Sequence, residues 1–157
     1  MTRIPPAELP DDLAVHNNLV RTAYVNPDMF RGFASLSGRV HSASHLPART
    51  RELVLLRVAG MLGADYEWQQ HAAIAGRMGI TDDELTALRS GDLEVFDGGD
   101  RAAVVFAGAV ERREVDDAAW RAALEHFSQV ELVDMTMLAG FYGLASRFVL
   151  ALDVDLE

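Results

Sequence analysis

The chain has 157 residues, 50% of them hydrophobic and 24% charged, a length that suits one domain with a single core. Its 24 acidic residues against 14 basic ones leave a net charge of −10, which repels phosphate backbones and argues against nucleic acid as a partner. It has no cysteine, and all 14 basic residues are arginine. Thiol chemistry, thiolate metal sites, Schiff-base lysines and P-loop lysines are therefore excluded by composition alone.

Prolines 5, 6 and 10 predict an extended arm over residues 1–12. The opening residues lack the basic-then-apolar order of a leader, and no stretch reads as a run of about 18 apolar residues. The expectation is a cytoplasmic protein with no membrane partner. From Leu13 onward the apolar spacing is helical. A first helix is expected over 13–24, and a second from Pro27, suited to a first helical position, to about His41. A third spans Ala48–Leu62 and a fourth 65–78, separated by Gly63. Thr81 followed three residues later by Glu84 reads as a capping box that starts a short fifth helix, ending near Gly91. Residues 91–100 form the best loop candidate, and helices over 100–113, 116–126 and 129–151 complete the chain. With no alternating strand pattern, the expected fold class is all-α: one domain over 13–157, built as a bundle of six to eight helices.

Three ionisable residues fall on apolar faces. Apolar side chains surround most of the third helix, and Glu52 is flanked there by Leu55, Leu56 and Ala59. A carboxylate on such a wall needs a partner or a purpose; Arg49, three residues back, offers an ordinary one. On the fourth helix Glu67 and His71 stand four apart, with Ile74 and Met78 continuing the stripe. The pair reads either as an ordinary i,i+4 contact or as an acid–base dyad in which Glu67 fixes and tunes the imidazole and His71 moves a proton. With Glu52 added it has the residue types of a metal site, but the other histidines, at 16, 41, 45 and 126, supply no ligand spacing, and no metal is expected. Tyr66, Trp68 and Tyr142 are candidates to line a substrate pocket, with plain core packing as the alternative.

The segment from Leu46-Pro47 through Glu52 to Tyr66-Glu67-Trp68 and His71, followed by Gly79-Ile80-Thr81 and Leu85, resembles the carboxymuconolactone decarboxylase family, whose redox branch is the alkyl hydroperoxidase D-like proteins. In that branch a Glu is followed by two cysteines and a His; counted from Glu52, those positions hold Ala64, Glu67 and His71. Both thiols are missing, which rules out dithiol peroxide reduction and points to the decarboxylase side, where the corresponding His is regarded as catalytic. The resemblance implies an all-helical subunit assembled as a homo-oligomer, a trimer or hexamer, with active sites near subunit contacts. The resulting expectation is a cofactor-free lyase or isomerase acting on a small enolisable carboxylate, lactone or polyketide-like ring. His71, Glu67 and Glu52 would be catalytic, and Arg49, Arg51 or Arg57 available for a substrate carboxylate. The competing expectation is a catalytically silent ligand-binding or structural oligomer, with Glu67 and His71 packed and no cavity beside them.

Overall fold

Local capping chemistry sets most of the helix boundaries. The computed structural model describes residues 1–157 as α1 (Asn18–Ala23), α2 (Pro27–Ser42), α3 (Ala48–Leu62), α4 (Asp65–Ala75), α5 (Asp82–Ser90), α6 (Gly98–Arg112), α7 (Asp117–Leu124) and α8 (Gln129–Leu152), with two short 3₁₀ turns and no strand. Pro27 heads α2, and the Asn26 side chain accepts the Met29 N–H at 3.2 Å. The Thr81–Glu84 capping box is formed, and a second one, Ser128 with Glu131, starts α8. Gly63 at φ +65° and Gly91 at φ +85° end α3 and α5 in the left-handed region that glycine enters without strain.

The structure departs from the sequence expectation at several ends. α1 begins at Asn18 rather than Leu13, because the Asn17 side chain caps it by accepting the Val20 N–H at 2.9 Å. Leu13 instead turns back on the Pro10 carbonyl and packs against the smaller core cluster. α4 stops at Ala75 and tightens into a 3₁₀ turn over Gly76–Met78, and α6 begins at Gly98, inside the expected loop. The N-terminal segment is tied down: Arg3 N–H donates to the Leu152 carbonyl and Ala7 N–H to that of Arg21, each at 2.9 Å.

The helix with apolar residues all round is the one at the centre. Leu53, Val54, Leu55, Leu56, Val58 and Ala59 of α3 are wholly buried, enclosed by α4, α5, α6 and α8. Each large aliphatic side chain so removed from water contributes about 1.5–3 kcal/mol. α5 crosses so closely that a Cβ on Gly60 would lie 3.0 Å from the Leu88 carbonyl oxygen, tight enough that the α5 backbone would have to give way slightly.

α8 corrects one expectation. With a mean hydropathy of 1.4 over its most apolar window, it is long and apolar enough to cross a membrane by length and composition, yet half of that window is buried inside the protein. Leu132, Met135, Leu138 and Tyr142 make its inner face, and packing on α3 and α6 accounts for their apolar character.

Candidate active site

α4 is amphipathic in an unusual sense: one face carries chemistry. Glu67, Gln70, His71 and Ile74, spaced three and four apart, line a cavity of about 500 Å³ that is otherwise mostly apolar. α2 contributes Phe30 and Phe33 to its wall, α8 contributes Phe141 and Tyr142, and α4 adds Tyr66. The α3–α4 turn at Gly63 brings the two helices side by side, so that Glu52 of α3 reaches the His71 ring.

The His71 imidazole is held from both ends. Nδ1 lies 3.0 Å from Oε2 of Glu52, and Nε2 lies 3.3 Å from the Tyr142 hydroxyl. That hydroxyl is in turn 2.8 Å from Nε2 of His41, at the end of α2. Burial pushes the Tyr142 phenol far above its ordinary value, and the negative charges of Glu67 and Glu52 push it the same way, so it stays a neutral hydroxyl. Burial lowers the pKa of His41, with the neighbouring His71 adding to the effect, and keeps its ring neutral around pH 7.

Glu67 is only 4% exposed, and its Oε1 has no hydrogen-bond partner. Burial raises its pKa above the ordinary carboxyl value, although the adjacent His71 works against this. A buried carboxyl with a free oxygen, facing a cavity, is a proton donor or acceptor without a protein partner.

The structure assigns the sequence-predicted residues unequally. Glu67, His71, Tyr66 and Tyr142 all line the cavity. Glu52, expected only to assist, is the carboxylate bonded to His71, whereas Glu67 makes no hydrogen bond to it. Tyr66 donates its O–H to Glu157 at 2.7 Å and accepts the Leu19 N–H at 3.2 Å, so its polar end is already occupied. Trp68 is a correction: it is absent from the cavity wall and packs against Gly60, with the Arg89 guanidinium 4.5 Å from its ring centroid. One step along a helix turns a side chain by about 100°, and the step from Glu67 to Trp68 carries the indole from the cavity toward α5. No candidate arginine reaches the cavity either. Arg49 bonds Asp100 and Glu84, Arg51 the Leu46 carbonyl and Arg57 the Leu88 carbonyl. Glu52 is therefore not paired with Arg49.

His41 is the residue the sequence reading missed. The sequence places it at the end of the second helix and gives it no role, and α2 does continue through it to Ser42. The signal was present: Phe30, Phe33, Ala34 and Ser37 line the cavity at helical spacing, and one more turn along that stripe arrives at His41. No group of three or more His, Asp or Glu side chains is arranged to hold a metal ion.

The all-helical architecture is that of the alkyl hydroperoxidase D-like proteins. A peroxidase-related alkylhydroperoxidase AhpD core protein of Ralstonia eutropha matches with a TM-score of 0.86 at 22% identity, over 99% of this chain and 92% of that one. A protein of unknown function from Agrobacterium tumefaciens matches with a TM-score of 0.82 at 20% identity, over 100% and 99%. The debrominase Bmp8 matches with a TM-score of 0.78 at 20% identity, over 92% and 80%. At these identities the likeness is one of fold. In sequence, the carboxymuconolactone decarboxylase family pattern matches residues 27–112, more than half of the chain, and the chain belongs to that family. No curated protein matches it.

Proposed function

We propose that this protein is a cofactor-independent acid–base lyase or isomerase, acting on a small enolisable carboxylate, lactone or polyketide-like ring. One observation carries the reading: a cavity of about 500 Å³ whose walls are largely apolar is lined by Glu67, His71 and Tyr142, while the phenol of Tyr66, also in its wall, is already bonded to Glu157. This supports an enzyme over the silent alternative, which required the two ionisable groups to be packed away with no space beside them.

With Glu52 accepting the Nδ1–H, the lone pair of His71 is on Nε2. Its contact with Tyr142, at 3.3 Å, is long for an O–H donor and leaves room for a substrate proton to compete. In an isomerisation, Nε2 removes a proton from the carbon next to a carbonyl, and the electron pair moves onto the carbonyl oxygen. In its protonated form the Glu67 carboxyl donates a hydrogen bond to that enolate oxygen, and the imidazolium returns the proton to a different carbon. In a decarboxylation the C–C bond breaks instead, CO₂ leaves, and His71, having first taken a proton from solvent, delivers it to the resulting enolate carbon. Charged intermediates of this kind gain most where water is excluded and the dipoles are already aimed.

The reading includes assembly of identical subunits in the cytoplasm, a trimer or hexamer. Val130, Val133, Met137 and Leu144 lie on one exposed seam of α8, each at least 50% exposed, with Gly140 between them. Their three- and four-residue spacing is that of a helix packing against another helix. A second apolar groove of about 510 Å³, between α2 and α8, adjoins this seam at Leu144 and shares Phe30, Phe33 and Phe141 with the reaction cavity. A neighbouring subunit seated there would stiffen the cavity wall.

The test is a panel of lactones and β-keto acids incubated with wild type and His71→Ala in deuterated water, read by mass spectrometry. The expected outcome is product formation or deuterium incorporation by wild type and its loss in the variant. Equal signals from both proteins would overturn the reading.

A further inference from the structure

Hydrogen bonds continue beyond His71 to a residue outside the cavity wall. His41 is half-buried and does not line the cavity, whereas Tyr142 and His71 do. The two imidazole rings are nearly parallel, 6° apart with centroids separated by 6.5 Å, and the Tyr142 ring stands at 80° to one and 86° to the other. One phenolic hydroxyl thus sits between two Nε2 atoms, at 2.8 Å from His41 and 3.3 Å from His71.

A hydroxyl has a single proton to donate, which fixes the direction of the chain. Glu52 accepts the Nδ1–H of His71, so Nε2 of His71 is the acceptor of the Tyr142 O–H. The Tyr142 oxygen then accepts from the Nε2–H of His41, whose Nδ1 carries the remaining lone pair. Every bond points inward. A proton added at Nδ1 of His41 allows its Nε2–H to pass to Tyr142 as the Tyr142 proton passes to Nε2 of His71. His41 ends neutral, Tyr142 ends neutral, and His71 becomes an imidazolium beside Glu52. The charges facing His41 are His71 from α4 and Glu52 and Arg51 from α3; burial, His71 and Arg51 favour a neutral His41 that passes a proton on rather than holding it, and outweigh the opposing pull of Glu52.

We propose that His41 and Tyr142 are a proton-supply line that loads His71 from outside the cavity. The proposal rests on the acid–base reading above and narrows it. Releasing CO₂ from a carboxylate and leaving a C–H bond in its place consumes one proton per turnover. A proton shuffle within one substrate consumes none. An inward-directed line therefore fits the decarboxylation branch, with the order solvent, His41, Tyr142, His71, enolate carbon.

The test has two independent arms. In the first, ¹⁵N NMR of the histidine side chains at neutral pH, without any substrate, is compared between wild type and Tyr142→Phe. The expected result is the Nε2–H tautomer for His41 and the Nδ1–H tautomer for His71 in wild type, with the His41 preference lost in the variant. An Nδ1–H tautomer of His41 in wild type, or an unchanged preference in the variant, would overturn the proposal whatever the reaction is. If Tyr142→Phe does not fold, the wild-type tautomers alone decide this arm. The second arm uses whichever panel substrate is turned over. His41→Ala should lose about 10- to 100-fold in kcat with little change in KM, and recover with added imidazole. An unimpaired His41→Ala beside an inactive His71→Ala sinks the supply line and leaves the acid–base reading standing. Both variants unimpaired sinks that reading itself.

Discussion

The Glu52 carboxylate bonds Nδ1 of His71 across 3.0 Å, although the two residues lie on different helices and 19 positions apart. The contact exists because α3 and α4 fold back on each other at Gly63, whose φ of +65° closes the turn. A carboxylate in that position fixes which nitrogen carries the proton and leaves the other one reactive.

Replacing Glu52 by Gln keeps the shape and removes the charge. The amide can present either its oxygen or its NH₂ group to Nδ1, so the tautomer of His71 is no longer imposed. Turnover should fall by about 10²-fold or more, with the fold intact by circular dichroism. Steady-state kinetics on an identified substrate check this, and a Glu52→Gln protein as active as wild type would separate the Glu52–His71 hydrogen bond from the mechanism.

Glu67 gives a stability prediction that needs no substrate. Burial raises its folded-state pKa above the ordinary 4.5. In such a case the unfolded chain ionises first. The group's contribution is fully present below pH 4.5 and is lost as pH rises through the raised folded value. Glu67→Gln cannot ionise and escapes that loss. Its melting temperature should therefore gain on wild type as pH rises above 4.5 and through the raised folded-state value. A difference between the two proteins that stays flat with pH would mean that Glu67 is not a desolvated carboxyl.

Chemistry familiar from peroxidase-related proteins of this fold is closed to the chain if it needs a thiol, because the sequence contains no cysteine. Incubation with an organic hydroperoxide and a dithiol reductant should give no turnover above the protein-free rate in metal-free buffer. Sustained turnover would reveal a thiol-independent route.

The exposed seam on α8 predicts self-association. Light scattering at micromolar concentration should give a mass well above the 17.2 kDa of one chain. Leu144→Glu should shift the mass toward one chain, since it places a charge where the apolar seam meets the second groove while leaving the buried face of α8 untouched. A wild-type protein that is already monomeric would exclude the seam as a subunit contact.

Gly60 probes the close crossing of α3 and α5. Gly60→Ala forces a Cβ to within 3.0 Å of the Leu88 carbonyl, which belongs to backbone and cannot swing aside. The expected loss is about 1–3 kcal/mol in urea unfolding, the usual range for overpacking. No loss would show that α5 is free to move away from α3.

What the sequence determined by itself is whatever depends on composition or on contacts within one turn of chain. The absence of cysteine and lysine decided which reactions are closed. Asn26-Pro27, Thr81 with Glu84, and Gly63 marked helix ends because caps and left-handed turns are made by neighbours in sequence. The all-round apolarity of α3 marked it as central, and the four-residue spacing of Glu67 and His71 put both on one face. Helical periodicity says which side chains share a face, but not what that face meets. The tertiary structure alone decided that His71 pairs with Glu52 rather than Glu67, and that Trp68 turns away toward Arg89. It alone brought Tyr142 to His41 from 101 residues away. Those outcomes depend on how α2, α3, α4 and α8 cross, and the crossings are fixed by the packing of the whole core rather than by any segment of the chain.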